Sequence, residues 1–234
     1  MPIIRGNEMI DDILVKKLLS QIVKKDYEEN LKKRFREVYL DEPIPEGMDN
    51  LIGALELPPE ELQLIDNNIQ DSVDNTITPI IKSLIDGIET DEEIAEKTGI
   101  KLNIVRKMLY KLYDLKIANY KRSKDPETQW FTYSWKFEKD ELISKIKKDT
   151  EIELSKLNAQ LEEEEQNMFF VCPYGHVRVN FDVASDYDYQ FLCPACDEEL
   201  EFQDNAEIIE NLKANIAMVE NDYDSFIKKV ESWL

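Results

Sequence analysis

Every cysteine in this chain, and its only histidine, falls between Cys172 and Cys196. The segment reads FFVCPYGHVRVNFDVASDYDYQFLCPACDEELEF. Cys193-Pro-Ala-Cys196 has the spacing of a zinc knuckle, two thiolates on one tight turn that can share a tetrahedral ion. Cys172-Pro-Tyr-Gly-His176 forms a first half-site that uses histidine one place later than a plain CxxC. Sixteen residues separate His176 from Cys193, enough for a hairpin between the half-sites. An odd cysteine count argues against a disulfide framework and for a metal. A set of three cysteines and one histidine leaves no open coordination position, so one structural Zn2+ is expected rather than a catalytic one. Its binding free energy would be folding free energy for a module too small to hold itself together. A redox CxxC favours a helix N-terminus in a thioredoxin-like unit, which this segment lacks. Buried thiols with a surface histidine are the remaining alternative.

The cysteine module is flanked by two long helical patterns. Residues 139–167 contain no Gly or Pro, and Ile143, Ile146, Thr150, Leu154, Leu157 and Leu161 step by three and four. Residues 206–234 keep a stricter seam: Ile209, Leu212, Ile216, Val219, Tyr223, Phe226, Val230 and Trp233. A heptad seam needs a partner. The 139–167 helix is the nearest one, giving an antiparallel hairpin with the cysteine module at its tip. A homodimeric coiled coil is the competing arrangement.

The N-terminal part carries another pattern. Residues 9–26 read as an amphipathic helix with Ile10, Ile13, Leu14, Leu18 and Ile22 on one face. A charged helix is expected to continue over 27–40, and Pro58-Pro59-Glu60 can open a short one. TPIIKSLIDGI (78–88) reads as a helix with Thr78 as N-cap and Pro79 in its first position. Thr90 and Glu93 fit a capping box for helix 91–98, which Gly99 should end. LNIVRKMLYKLYDLK (102–116) follows, with Ile104, Val105, Met108, Leu109, Leu112 and Leu115 as its buried stripe. Two strand-like runs, 117–124 and 129–137, flank Asp125-Pro126-Glu127-Thr128, expected to form a type I turn. Phe131, Tyr133, Trp135 and Phe137 alternate onto one face and are expected to be core. Three helices and a hairpin, in this order, make a winged helix-turn-helix.

Net charge is -21, unevenly spread. Lys97 to Lys124 holds nine Lys or Arg and one Asp, whereas Glu37 to Ile81 holds eleven acids and no base. Such a chain does not coat DNA by bulk charge; any nucleic-acid contact would use the basic window. In a winged helix that window supplies Lys101, Asn103, Arg106, Lys107 and Lys111 on the second helix of the motif, and Lys121, Arg122 and Lys124 on the wing. Trp130 falls on the face opposite the aromatic row, where it could stack on an unpaired base or meet a protein partner. No run approaches the ~18 apolar residues of a membrane span, and the first residues show no signal-peptide pattern, so a cytoplasmic location is expected. The only histidine lies in the metal set and there is no Gly-rich phosphate loop, so an enzyme is not expected.

TDEEIAEKTGIKLNIVRKMLYKLYDLKIANYKRSKDPETQWFTYSWKF, followed by a long acidic helix and the cysteine ribbon, resembles archaeal transcription factor E, counterpart of the large subunit of the eukaryotic general factor TFIIE. The resemblance covers about residues 76–205. Together with the patterns above it gives a mostly α protein: a winged-helix domain at 1–138 with, as the resemblance implies, an acidic insertion at about 29–75, a linker helix at 139–167, a zinc ribbon of small antiparallel β at 168–205, and a C-terminal heptad helix at 206–234. It implies a basal initiation factor that joins the RNA polymerase–promoter complex, meets the polymerase clamp and stalk alongside TATA-binding protein and promoter DNA, and assists DNA opening. A sequence-specific winged-helix repressor is the alternative. The ribbon departs from the family's common four-cysteine set by using His176.

Overall fold

The computed structural model describes residues 8–38, 59–124, 129–186 and 188–233. The turn expected at 125–128 and residues 39–58 of the expected insertion lie outside these. The described chain is mostly helical with two small antiparallel sheets. It divides into two compact units, one of Met1–Ile146 with Phe226–Leu234 and one of Lys147–Ser225.

In the first unit, a helical turn at 8–10 precedes α1 (Ile13–Val38). The helix expected to run unbroken from residue 9 is interrupted at Asp11-Asp12. There the Asp12 carboxylate accepts from Leu14 N–H at 3.0 Å, capping α1, and Lys229 donates to its other oxygen at 2.6 Å. The restart turns the apolar face. Leu14, Val15, Leu18, Leu19 and Ile22 are buried, while Ile13 is left 59 % exposed.

α2 (Pro59–Ser72) starts at the expected proline. It then runs through a π-helical segment (Val73–Ile77) straight into α3 (Thr78–Ile85). Thr78 is therefore not an N-cap but a buried residue inside a longer helix. Its N–H reaches back five residues to the Val73 carbonyl. Pro79, lacking an N–H and crowding the preceding turn, would break an α-helix; the wider π winding accommodates it. Ile65 and Ile69 of α2 are buried with Val23 and Tyr27 of α1 packed against them, so this end of the acidic stretch belongs to the core.

α4 (Asp91–Thr98) is capped by Thr90, whose Oγ1 accepts from Glu93 N–H while its hydroxyl donates to the Glu93 carboxylate at 2.8 Å. Gly99 ends it at φ 71°, a left-handed position that suits glycine. α5 (Leu102–Asp114) buries Val105, Leu109 and Leu112; Ile104, expected in this stripe, is exposed. β1 (Ala118–Lys124) and β2 (Phe131–Phe137) pair antiparallel, with Tyr120 opposite Trp135, Arg122 opposite Tyr133 and Lys124 opposite Phe131. Trp135 N–H donates to the Glu89 carbonyl at 2.7 Å, tying the hairpin to the loop before α4. Helices α3, α4 and α5 with this hairpin are a winged helix-turn-helix.

α6 (Lys139–Gln166) leads from the wing towards the ribbon, and α8 (Ala206–Trp233) leaves it. The ribbon between them holds β3 (Phe169–Val171), β4 (Arg178–Asn180), the one-turn α7 (Phe181–Ala184) and β5 (Glu201–Gln203), with β3 central and antiparallel to both edges. Within the second unit, Lys213 pairs with Glu165 at 2.6 Å, and Asn205 donates to the Glu164 backbone and carboxylate at 2.7 and 3.0 Å. Burial, then the Glu151 charge on α6, raise the Tyr223 hydroxyl on α8 above its ordinary value. Ile216, Val219, Phe226 and Val230 of the seam are buried, as are Ile143, Ile146 and Thr150.

Candidate metal centre and basic face

Each half-site of the ribbon is a tight backbone turn. Cys172 N–H donates to the Val177 carbonyl at 3.0 Å and Gly175 N–H to the Cys172 carbonyl at 2.8 Å, with Gly175 at φ 75°. On the other side Cys193 N–H donates to Glu198, and Asp197 N–H closes back on Cys193, both at 2.8 Å. The two turns bring Cys172, His176, Cys193 and Cys196 together, all four donor atoms lying within 4.8 Å of one another.

The spacing matches tetrahedral coordination. Metal–ligand bonds of roughly 2.3 Å to sulfur and 2.0–2.1 Å to nitrogen imply edges of about 3.8 Å between sulfurs and about 3.6 Å from sulfur to nitrogen. Cys172 and Cys196 sulfurs are 3.6 Å apart, and His176 Nδ1 lies 3.6, 3.3 and 3.8 Å from Cys172, Cys196 and Cys193. These are no disulfide distances, and all three cysteines are free. Burial would push the Cys172 thiol up, but backbone N–H groups of His176 and Tyr174 outweigh it and hold the thiol at about 7. A backbone N–H at Glu198 lowers Cys196; burial and the Cys193 and Cys172 sulfurs outweigh that and push it up to about 11. Three sulfurs this close cannot all carry charge unless a cation sits among them. The set can hold a metal ion. Beneath it Cys172, Ala184, Cys193 and Leu200 are buried, with Phe170, Val177, Val179, Tyr189 and Phe191 packed against them.

The basic window looks different from its sequence. Lys101, which precedes α5, and Asn103 in its first turn are exposed. Arg106 is instead paired with Asp91 and, at 2.7 Å, with Glu92, both in the first turn of α4. Lys107 and Lys111 share the Asp26 carboxylate of α1 at 2.8 and 2.6 Å. Burial raises Asp26, but hydrogen bonds and charge from Lys107 and Lys111 more than offset it, leaving the carboxyl below its ordinary value. Residue spacing on α5 cannot show these partners, which lie 81 positions away in the case of Lys107 and Asp26.

The wing keeps Lys121, Arg122, Lys124 and Trp130 exposed, Trp130 at 77 %. Of the aromatic row expected to be core, only Trp135 is buried; Tyr133 and Phe137 are half-buried and Phe131 is 48 % exposed. Phe131 lies near the wing's end, with the Arg122 guanidinium 3.5 Å and the Lys124 ammonium 5.7 Å from its ring centre. Sequence alternation put Phe131 on the core side correctly, but the hairpin outruns the core beneath it. Tyr110, Tyr113, Tyr120, Tyr133 and Trp135 form a chain of ring contacts 5.0–5.5 Å apart across α5 and the hairpin.

A winged helix-turn-helix with an ion-paired second helix, carried on the same chain as a ribbon whose four donors can hold a metal ion, is the two-module class to which this chain belongs. The family model described as TFIIE alpha subunit matches residues 63–166, beginning inside the stretch read as an acidic insertion. Transcription factor E of Methanobrevibacter smithii is 61% identical over 159 residues, 68% of this chain and 91% of that protein. Those of Methanosphaera stadtmanae and Methanocaldococcus jannaschii are 50% and 43% identical, covering 59% and 58% of this chain and 76% and 78% of theirs. The chain belongs to the transcription factor E family, general transcription factors related to the TFIIE alpha subunit. This is not an enzyme family. Among the described residues no helix is long and apolar enough to cross a membrane.

Proposed function

We propose that the chain is a basal initiation factor that joins the RNA polymerase–promoter complex and assists promoter opening, acting through its wing. The observation that carries this is the wing's end, where the exposed Phe131 has the Arg122 and Lys124 cations beside its ring and Trp130, the preceding residue, is exposed. Aromatic faces beside cations stack on unpaired bases without reading sequence, and melting is the step that exposes such bases. Lys121 adds charge for the adjacent backbone. At the start of α5, Lys101 just before it and Asn103 in its first turn face solvent, while Arg106, Lys107 and Lys111 are held by acids of the same chain. That arrangement supports weak phosphate contact and does not favour a sequence-reading repressor.

The rest of the reading follows the same logic. Cys172, His176, Cys193 and Cys196 bind one structural Zn2+, and the ribbon is scaffold rather than catalyst. The chain is organised as winged helix 1–138, linker helix 139–167, ribbon 168–205 and C-terminal helix 206–234. The Lys213–Glu165 ion pair, with the charge of Glu151 acting on Tyr223, supports pairing of the last helix with the linker within one chain, hence a monomer. Its partners are the polymerase clamp and stalk, with TATA-binding protein and promoter DNA, in the cytoplasm.

Trp130→Ala tests the reading. So exposed a side chain contributes little to the core, so the melting temperature should barely change. Promoter opening should fall about tenfold, the loss of stacking on one base at roughly 1–3 kcal/mol, most at promoters that melt poorly. A pre-melted template should restore activity. Unchanged opening, or a loss of opening that a pre-melted bubble leaves in place, would overturn it.

A further inference from the structure

The ribbon carries a second group of exposed aromatics, in an electrostatic setting opposite to that of the wing. On the central strand, Phe170 pairs with Val179 on one side and Phe202 on the other, so all three side chains share one face of the sheet. Phe170 meets Phe181, Phe191 and Phe202 at ring-centre distances of 6.2, 5.1 and 5.9 Å, and Phe181 meets Phe191 at 5.9 Å. The inner part of this cluster packs on the core beneath the metal ligands. Its outer part does not: Phe202 is 60 % and Phe181 43 % exposed. Contiguous exposed aromatics of this kind mark interaction sites more often than scattered single residues do.

The surroundings choose the occupant. From Val179 to Leu212 the chain has ten Asp or Glu and no Lys or Arg. Asp182 directly follows Phe181, and Glu201 directly precedes Phe202. Such a field repels nucleic acid, so base stacking is not available to these rings as it is to those of the wing. It attracts a protein segment that carries Lys or Arg around an apolar side chain, with the rings as anchors and the carboxylates as a polar rim. We infer that the Phe170–Phe181–Phe202 face of the ribbon is a docking surface for a basic, apolar-anchored protein segment.

The full-length, metal-loaded chain can be titrated with an amphipathic lysine–leucine peptide and with its glutamate–leucine counterpart, following backbone amide shifts. The lysine peptide should shift residues around Phe170, Phe181 and Phe202 selectively, and rising salt should weaken it. Phe202→Ser, and Phe181→Ser with Phe202→Ser, should each keep the metal content and the chain's charge. The double variant should lose affinity by about tenfold or more, as expected when interface anchors are truncated. Phe202→Ser alone, at a largely exposed strand position, provides the same reading should the double variant lose its metal. Equal binding by the variants, shifts spread over the acidic helices instead, equal binding of the glutamate peptide, or self-association of the chain through this face would each overturn the proposal.

Discussion

Asp26 faces two of the cations that a winged helix would ordinarily offer to DNA. It holds Lys107 and Lys111 of α5 against α1 through a pair of short ion pairs. Asp26→Asn should therefore release two lysines. Non-specific duplex binding should tighten, with a salt slope steeper by up to about 0.9 for each lysine that then reaches a phosphate; an unchanged slope would show that these lysines never compete for DNA. The stability cost should be small, ~1 kcal/mol or less, because Lys107 is about half exposed. Its pH dependence has a definite sign. The folded carboxyl lies below its ordinary value of 3.8, so its stabilisation is complete above that value and is lost as pH falls through the folded one. An acid unfolding curve of the variant should be flatter in that range, and identical curves would argue against the coupling. None of this was legible in the sequence. The basic residues were found where they stand, but whether a lysine is available depends on what the tertiary fold puts beside it. Phe131 teaches the reverse: its face was read from alternation, yet its exposure depends on how far the hairpin extends.

Elements were more legible than their junctions. The cysteine spacing gave both half-sites, because a tetrahedral ion accepts few loop lengths and turn geometries, but the hairpin expected between them is instead the strand β4, paired back to β3, and the one-turn α7. Thr90 and Gly99 marked both ends of α4 by capping chemistry that is local to the chain. Thr78-Pro79 was misread for an equally physical reason. A proline opening a new helix and a proline absorbed by a π turn have the same local sequence, and only the buried face of the preceding turn separates them. The break at Asp12 was missed since its stabilising partner, Lys229, lies 217 residues on. For the ribbon as an element, Cys193→Ser should abolish stoichiometric metal binding and unfold the ribbon. Protein purified without added metal should contain one zinc per chain by metal analysis. A content near zero, with near-UV circular dichroism unchanged after chelation, would refute a structural metal.

At the level of the molecule, the last two turns of α8 belong to the winged-helix unit. Phe226 is fully buried and Val230 nearly so, and Lys229 closes on Asp12. Phe226→Ala should cost about 3–5 kcal/mol, as for other buried aromatics, and should lower the stability of the winged helix although it lies far from it in sequence. A thermal shift no larger than that of Trp130→Ala would show that the winged helix is complete without this segment. The Asp12–Lys229 closure also bears on how the protein is made. A core that includes Met9 and Phe226 cannot be finished while the intervening chain is still being synthesised, and joining ends so far apart carries a loop-closure cost that local helix formation does not. The Asp12–Lys229 closure should therefore form later in folding than the local helices that it joins.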